Sequence, residues 1–198
     1  MIFERGYFDS SSTQDADITK SLVESRIFDS TSAFSSKPTI FLSHKHEDLK
    51  DLKGVLGKFR ELGAEVYIDS MDNKMPNQTS GQTALRIKEV IKFCNKFVLL
   101  ATDKAIESYW CNWELGIGDT HKYIENLAIL PMKEKGSQDY HYKGNEYLQI
   151  YPTIDYQDGT RNYSNGTVIS RGFYVVKPPM RPEDARVFTP LIDWIKRQ

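Results

Sequence analysis

From Thr39 onward, short apolar runs alternate with stretches whose apolar residues recur every three or four positions. Thr39-Ile40-Phe41-Leu42-Ser43, bounded by Pro38 and the polar His44-Lys45-His46-Glu47-Asp48, predicts a strand buried on both faces. Leu49, Leu52, Leu56 and Phe59 follow at spacings of three, four and three, a helix stripe that ends at Gly63. The cycle then repeats. The pattern predicts a strand over 64–69, a long polar loop over 70–82 and a helix with Ala84, Ile87 and Ile91 inward. A strand over 96–101, a helix around 108–118 and a strand over 126–132 complete it. Strands alternating with helices of this length predict right-handed crossovers, hence an α/β fold with a central parallel sheet and helices on both faces.

The ends read differently. Residues 1–36 are polar and serine-rich, with a modest helical pattern around Ile18, Leu22 and Val23, and form an expected N-terminal extension to a domain over 37–198. Past Lys133 the alternation weakens into a C-terminal insertion at about 134–175. Beyond Lys133, 146–156 and 173–177 are strand-like and flank a Gly/Asn-rich loop over 158–167. Thr189-Pro190 occupy N-cap and first-turn positions ahead of Leu191, Ile192, Trp194 and Ile195, the apolar face of a last helix.

Composition narrows the function classes. The chain has 198 residues, a formal charge of −1, 39% hydrophobic and 27% charged residues, the balance of one ordinary globular domain. No apolar run approaches the roughly 18 residues that span a bilayer. A near-neutral chain lacks the concentrated positive charge that nucleic acid requires. Cys94 and Cys111 stand without metal-ligand spacing and read as reduced thiols, and the first residues lack a signal-peptide pattern; both features lead to the expectation of a cytoplasmic protein.

In an open parallel sheet, ligands bind beyond the carboxyl ends of the strands. Three polar segments fall there: 43–48, 70–81 and 102–114. None carries a phosphate-binding or dinucleotide glycine fingerprint. His44 and His46 lack a third ligand, and Ser43-His44 lacks a nucleophile elbow, so neither metal nor acyl-transfer chemistry is expected. The informative stretch is Ser108-Tyr109-Trp110-Cys111-Asn112-Trp113-Glu114. On a helix, Trp110 and Glu114 share a face, one turn apart. A carboxylate beside an indole could hold a ribose while the ring stacks on a base. Equally, the tryptophans could be core residues and Glu114 a solvated one.

Taken in order, Ile40-Phe41-Leu42-Ser43 leading to Glu47-Asp48, then 63–70 with its long loop, then Ser108-x-Trp110-Cys111-x-x-Glu114-Leu115, resemble the TIR domain family over about 38–132. The resemblance implies a flavodoxin-like fold and, in enzymatic members, cleavage of NAD⁺ at the nicotinamide–ribose bond. It places Glu114 as the catalytic glutamate and Ser43, His44, Lys45, Asp69, Lys74, Ser108 and Trp110 as substrate-binding residues. NAD⁺ is then substrate, with no separate cofactor. The long loop at 70–81 becomes the BB loop, through which the chain would self-associate. Plant members of the family usually carry aromatic-Arg-Gly where this chain has His44-Lys45-His46. The overall pattern is similar to stand-alone bacterial TIR sensors of Thoeris-type antiphage defence, which implies a cyclic ADP-ribose signal read by a separate effector protein. Two rivals remain at this stage. One is a non-catalytic TIR scaffold acting by self-association; the other is a nucleoside deoxyribosyltransferase-like enzyme, whose glutamate would be a covalent nucleophile.

Overall fold

Runs that are apolar at every position need cover on both faces, and that requirement builds the middle of the molecule. The computed structural model describes residues 2–9, 37–69, 80–137 and 145–197. In chain order they form β1 (Phe3–Glu4), β2 (Thr39–Ser43), α1 (Leu49–Glu61), β3 (Glu65–Tyr67), α2 (Gly81–Phe93), β4 (Lys96–Ala101), α3 (Asp103–Ile106) and α4 (Tyr109–Lys122). β5 (Leu127–Lys133), β6 (Thr153–Gln157), β7 (Gly172–Lys177), β8 (Val187–Pro190) and α5 (Leu191–Lys196) follow.

The strands form one sheet in the order β3-β2-β4-β5-β6-β7-β8, with β1 also paired to β5. β3 through β6 run parallel in the doubly wound order of flavodoxin-like folds. The period of two then sorts the side chains. Ile40, Leu42, Val98 and Leu100 enter one core with α1 and α5; Phe41, Phe97, Leu99 and Ala101 enter the other with α2 and α4. Phe41 and Phe97, neighbours across the β2–β4 register, stack with ring centroids 5.5 Å apart.

Five features depart from the sequence pattern, the first being that Glu146–Ile150, strand-like in sequence, form a 3-10 helix ahead of β6. The sheet is mixed, because β6–β7 and β7–β8 are antiparallel. Residues 2–9 of the polar N-terminal stretch dock on the domain: Phe3 pairs with Met132, and both Phe3 and Phe8 are buried in the core. Pro190 ends a strand instead of opening a helix. Its pairing with Tyr174 holds it at ψ 134°, an extended state that its fixed φ allows as readily as a helical one, so α5 begins at Leu191. Leu49 and Ile192, expected inward, stand at the surface. The helical pattern around Ile18, Leu22 and Val23 lies outside the described residues.

Candidate functional site

The strand order reverses between β2 and β4, and the crevice beyond their carboxyl ends is where such sheets bind ligands. Ser43 ends β2 two residues after Phe41, so it shares that residue's face and points toward the α4 side. α4 is drawn tightly against this face. A Cβ on Gly118 would lie 2.9 Å from the Phe97 ring, so only glycine lets the helix approach so closely. Glu114 lies four residues earlier on the same helix face. Packing at Gly118 therefore carries Glu114 to the end of β2, where Ser43 Oγ donates a hydrogen bond to Glu114 Oε2 at 2.5 Å. Ser108 starts the helix as N-cap, its side chain accepting from the Cys111 amide at 3.5 Å.

Above this pair opens a cavity of about 360 Å³, lined by His44, Lys45, His46, Asp69, Thr83, Ser108, Trp110 and Cys111. Five of the predicted site residues, His44, Lys45, Asp69, Ser108 and Trp110, thus converge on one cavity. Ser43 and Glu114 lie directly beneath its lining, and Glu114 is only 2% exposed. Lys74 and most of the 70–81 loop lie outside the described residues. The volume is at the small end of ligand pockets.

Burial governs the electrostatics. It pushes the Glu114 carboxyl up to about 8, and the Asp69 charge adds to the shift; the Ser43 hydrogen bond and the nearby Trp110 indole oppose it. Glu114 Oε1 is buried and finds no hydrogen-bond partner among the described residues. His44 sits with Nδ1 3.3 Å from the Leu42 carbonyl and 3.8 Å from Asp69 Oδ1, and burial lowers its pKa, leaving a neutral imidazole at pH 7. Burial raises the Cys111 thiol to about 11 and the Cys94 thiol to about 12, so neither is a ready nucleophile. Among the described residues no three His, Cys, Asp or Glu side chains gather as a metal site. No helix there is long and apolar enough to cross a membrane.

Sequence reasoning left three lining residues out of the predicted site: His46, next to the predicted Lys45, and Thr83 and Cys111. Thr83 accepts the Ser80 amide hydrogen at 3.1 Å at the start of α2, and the Ser80-x-x-Thr83 capping pattern marked that helix end without marking the cavity. Cys111 follows Ser108 by three positions and so turns toward the same side of α4. The tryptophans divide the two readings open at the sequence level: Trp110 lines the cavity, while Trp113 lies outside the lining with its ring 5.0 Å from that of Trp110. Glu114 is buried, not solvated.

The chain is 34% identical over 117 residues to ThsB′ of Bacillus cereus (strain MSX-D12), named as a candidate 3′ cyclic ADP-D-ribose synthase; the alignment covers 58% of this chain and 59% of that protein. It is 28% identical over 79 residues to TIR2 of Cytobacillus dafuensis, named as a candidate cyclic ADP-D-ribose synthase, covering 38% of this chain and 21% of that protein. The chain therefore spans less than two-thirds of the length of either relative. Residues 40–166, which run from the second residue of β2 past the end of β6, match the TIR domain family. The chain belongs to the TIR domain family.

Proposed function

We propose that the chain cleaves NAD⁺ at the nicotinamide–ribose bond and closes the ADP-ribose product into a cyclic signal. The observation that carries this reading is the Glu114 carboxyl, buried on Ser43 directly beneath a cavity walled by Trp110. The names of the two relatives support it. As the bond breaks, its electron pair returns to the pyridinium nitrogen, and nicotinamide leaves neutral without needing an acid. The ribose is left as an oxocarbenium-like cation. Glu114 faces that developing charge from a water-poor site, an arrangement typically worth several kcal/mol of transition-state stabilisation. A cationic pyridinium entering above Glu114 also favours its ionised form, offsetting the burial that raises its pKa. The attacking oxygen then bonds to the ribose carbon and gives up its proton, which a carboxyl of raised pKa is suited to accept.

In this reading Trp110 stacks on a ring of the substrate. Ser43 and Ser108 hydrogen-bond near the ribose, Asp69 and neutral His44 orient it, and Lys45 reaches its phosphates. The 70–81 loop mediates self-association, and a separate effector protein reads the product, as a defence signal. Mass spectrometry of NAD⁺ incubated with the protein tests the proposal: free nicotinamide with a cyclic isomer of ADP-ribose is expected. Linear ADP-ribose alone would remove the signalling part, and intact NAD⁺ would remove the enzyme.

One observation favours a second reading. Glu114 does not line the cavity directly and is only 2% exposed, so it must be uncovered before it meets a ligand. A non-catalytic module acting by self-association needs no such opening. It would leave NAD⁺ intact at every protein concentration.

A further inference from the structure

We propose that Arg5 is a positioning residue for the cavity and that residues 2–9 are the strap that delivers it. Asp48 closes the turn after β2, its amide donating to the Lys45 carbonyl at 2.8 Å. Its carboxyl is fully buried; it accepts the Thr102 hydroxyl at 2.6 Å and faces Arg5 Nη2 at 3.0 Å. Thr102 in turn caps α3, accepting the Ala105 amide at 3.1 Å, and α3 leads within two residues to Ser108. Asp48 therefore ties the loop that carries His44, Lys45 and His46 to the loop that carries Ser108 and leads into Trp110 on α4. Those loops are two walls of the cavity.

A buried carboxylate holds such a geometry only while a cation balances it; otherwise it takes a proton or draws in water, and its hydrogen bonds rearrange. Arg5 supplies the cation, and Asp51 fixes the strap from below. Arg5 Nη2 lies 2.8 Å from Asp51 Oδ2, and the Gly6 amide donates to Asp51 Oδ1 at 2.9 Å.

An independent feature shows that the strap has a prepared seat. Gly54 stands in the middle of α1, where glycine weakens a helix. A Cβ there would lie 2.5 Å from the Phe8 carbonyl oxygen, so the missing side chain is the space that Phe8 occupies. The helix is cut to receive residues 2–9, and those residues bring the charge that Asp48 requires.

The kinetic test of this inference rests on the NAD⁺-cleaving reading; a second readout does not. The variants are Arg5→Met, Arg5→Lys and Gly54→Ala, each compared with wild type well below its unfolding midpoint. Gly54→Ala improves helix propensity and touches no cavity residue, yet unseats Phe8. Arg5→Met and Gly54→Ala should each lower kcat/KM for NAD⁺ by about tenfold, since small misplacements of reacting groups cost rate steeply. Arg5→Lys should recover part of the loss, and the double variant should be no worse than either single one, because both break the same strap. Amides of 44–48 and 102–108 should exchange hydrogen faster in both variants, measured without NAD⁺. If one variant fails to fold, the other decides. Wild-type kcat and KM in variants that have lost only thermal stability overturn the proposal. If wild type itself leaves NAD⁺ intact, the function proposed above falls, and the exchange rates alone decide: unchanged rates overturn the strap and faster rates support it.

Discussion

At the residue scale the account turns on the charge of one carboxyl. Glu114 is pushed to about 8 by burial and by Asp69, so activity that needs its ionised form should rise through that range. kcat/KM for NAD⁺ plotted against pH should inflect near 8, not in the ordinary carboxylate range. Two variants should move the inflection in opposite directions. Asp69→Asn removes a negative charge and lowers it; Ser43→Ala removes a hydrogen bond to the charged form and raises it. Parallel shifts, or none, would show that another group controls the profile. The same pKa governs stability with the opposite sense. A carboxyl whose folded pKa lies above its unfolded value of 4.5 contributes stability that is complete below 4.5 and lost as pH rises through about 8. Thermal melts should show Glu114→Gln gaining on wild type across that window, because the amide has no charge to bury.

At the element scale α4 is the positioning device, and its close approach to β4 depends on Gly118. Gly118→Ala should cost about 1–3 kcal/mol, as overpacking does, although alanine is the better helix former. It should also lower nicotinamide release by more than the loss of folded protein explains, because the displaced helix carries Glu114. Unfolding curves and turnover on the same samples would separate the two effects. Much at this scale was legible in the sequence. β2, β4 and β5 are buried on both faces, so their apolar runs announce strands without help from distant residues. β8 was not legible: Thr189-Pro190 has the chemistry of a helix start, and only pairing with β7, which sequence alone does not reveal, keeps it extended. β1 is two residues long and exists through its pairing with Met132 and Lys133.

At the scale of the whole molecule, the mixed sheet separates tasks. Every lining residue of the cavity comes from the β2–α4 half, while the β6–β7 hairpin beyond β5 contributes none among the described residues. Replacing the hairpin tip at 159–166 with a short turn should therefore leave NAD⁺ cleavage unchanged in a folded protein. A fall in kcat/KM would mean that this insertion reaches the substrate. The candidate site was legible for the same topological reason: residues at the carboxyl ends of parallel strands converge wherever the strand order reverses. Arg5 and Thr83 escaped because their link to the cavity is spatial. Arg5 meets Asp48 and Asp51 across more than forty residues of chain, and nothing near Arg5 in the sequence marks that encounter.

The central claim is that the Glu114 carboxyl stabilises the ribose cation formed as nicotinamide departs. Its most direct measurement is nicotinamide release from NAD⁺ by wild type and by Glu114→Gln at equal folded concentration. The account predicts a loss of about 100-fold or more with an intact fold, the scale of removing one electrostatic partner from a transition state. Equal release by the two proteins would contradict it.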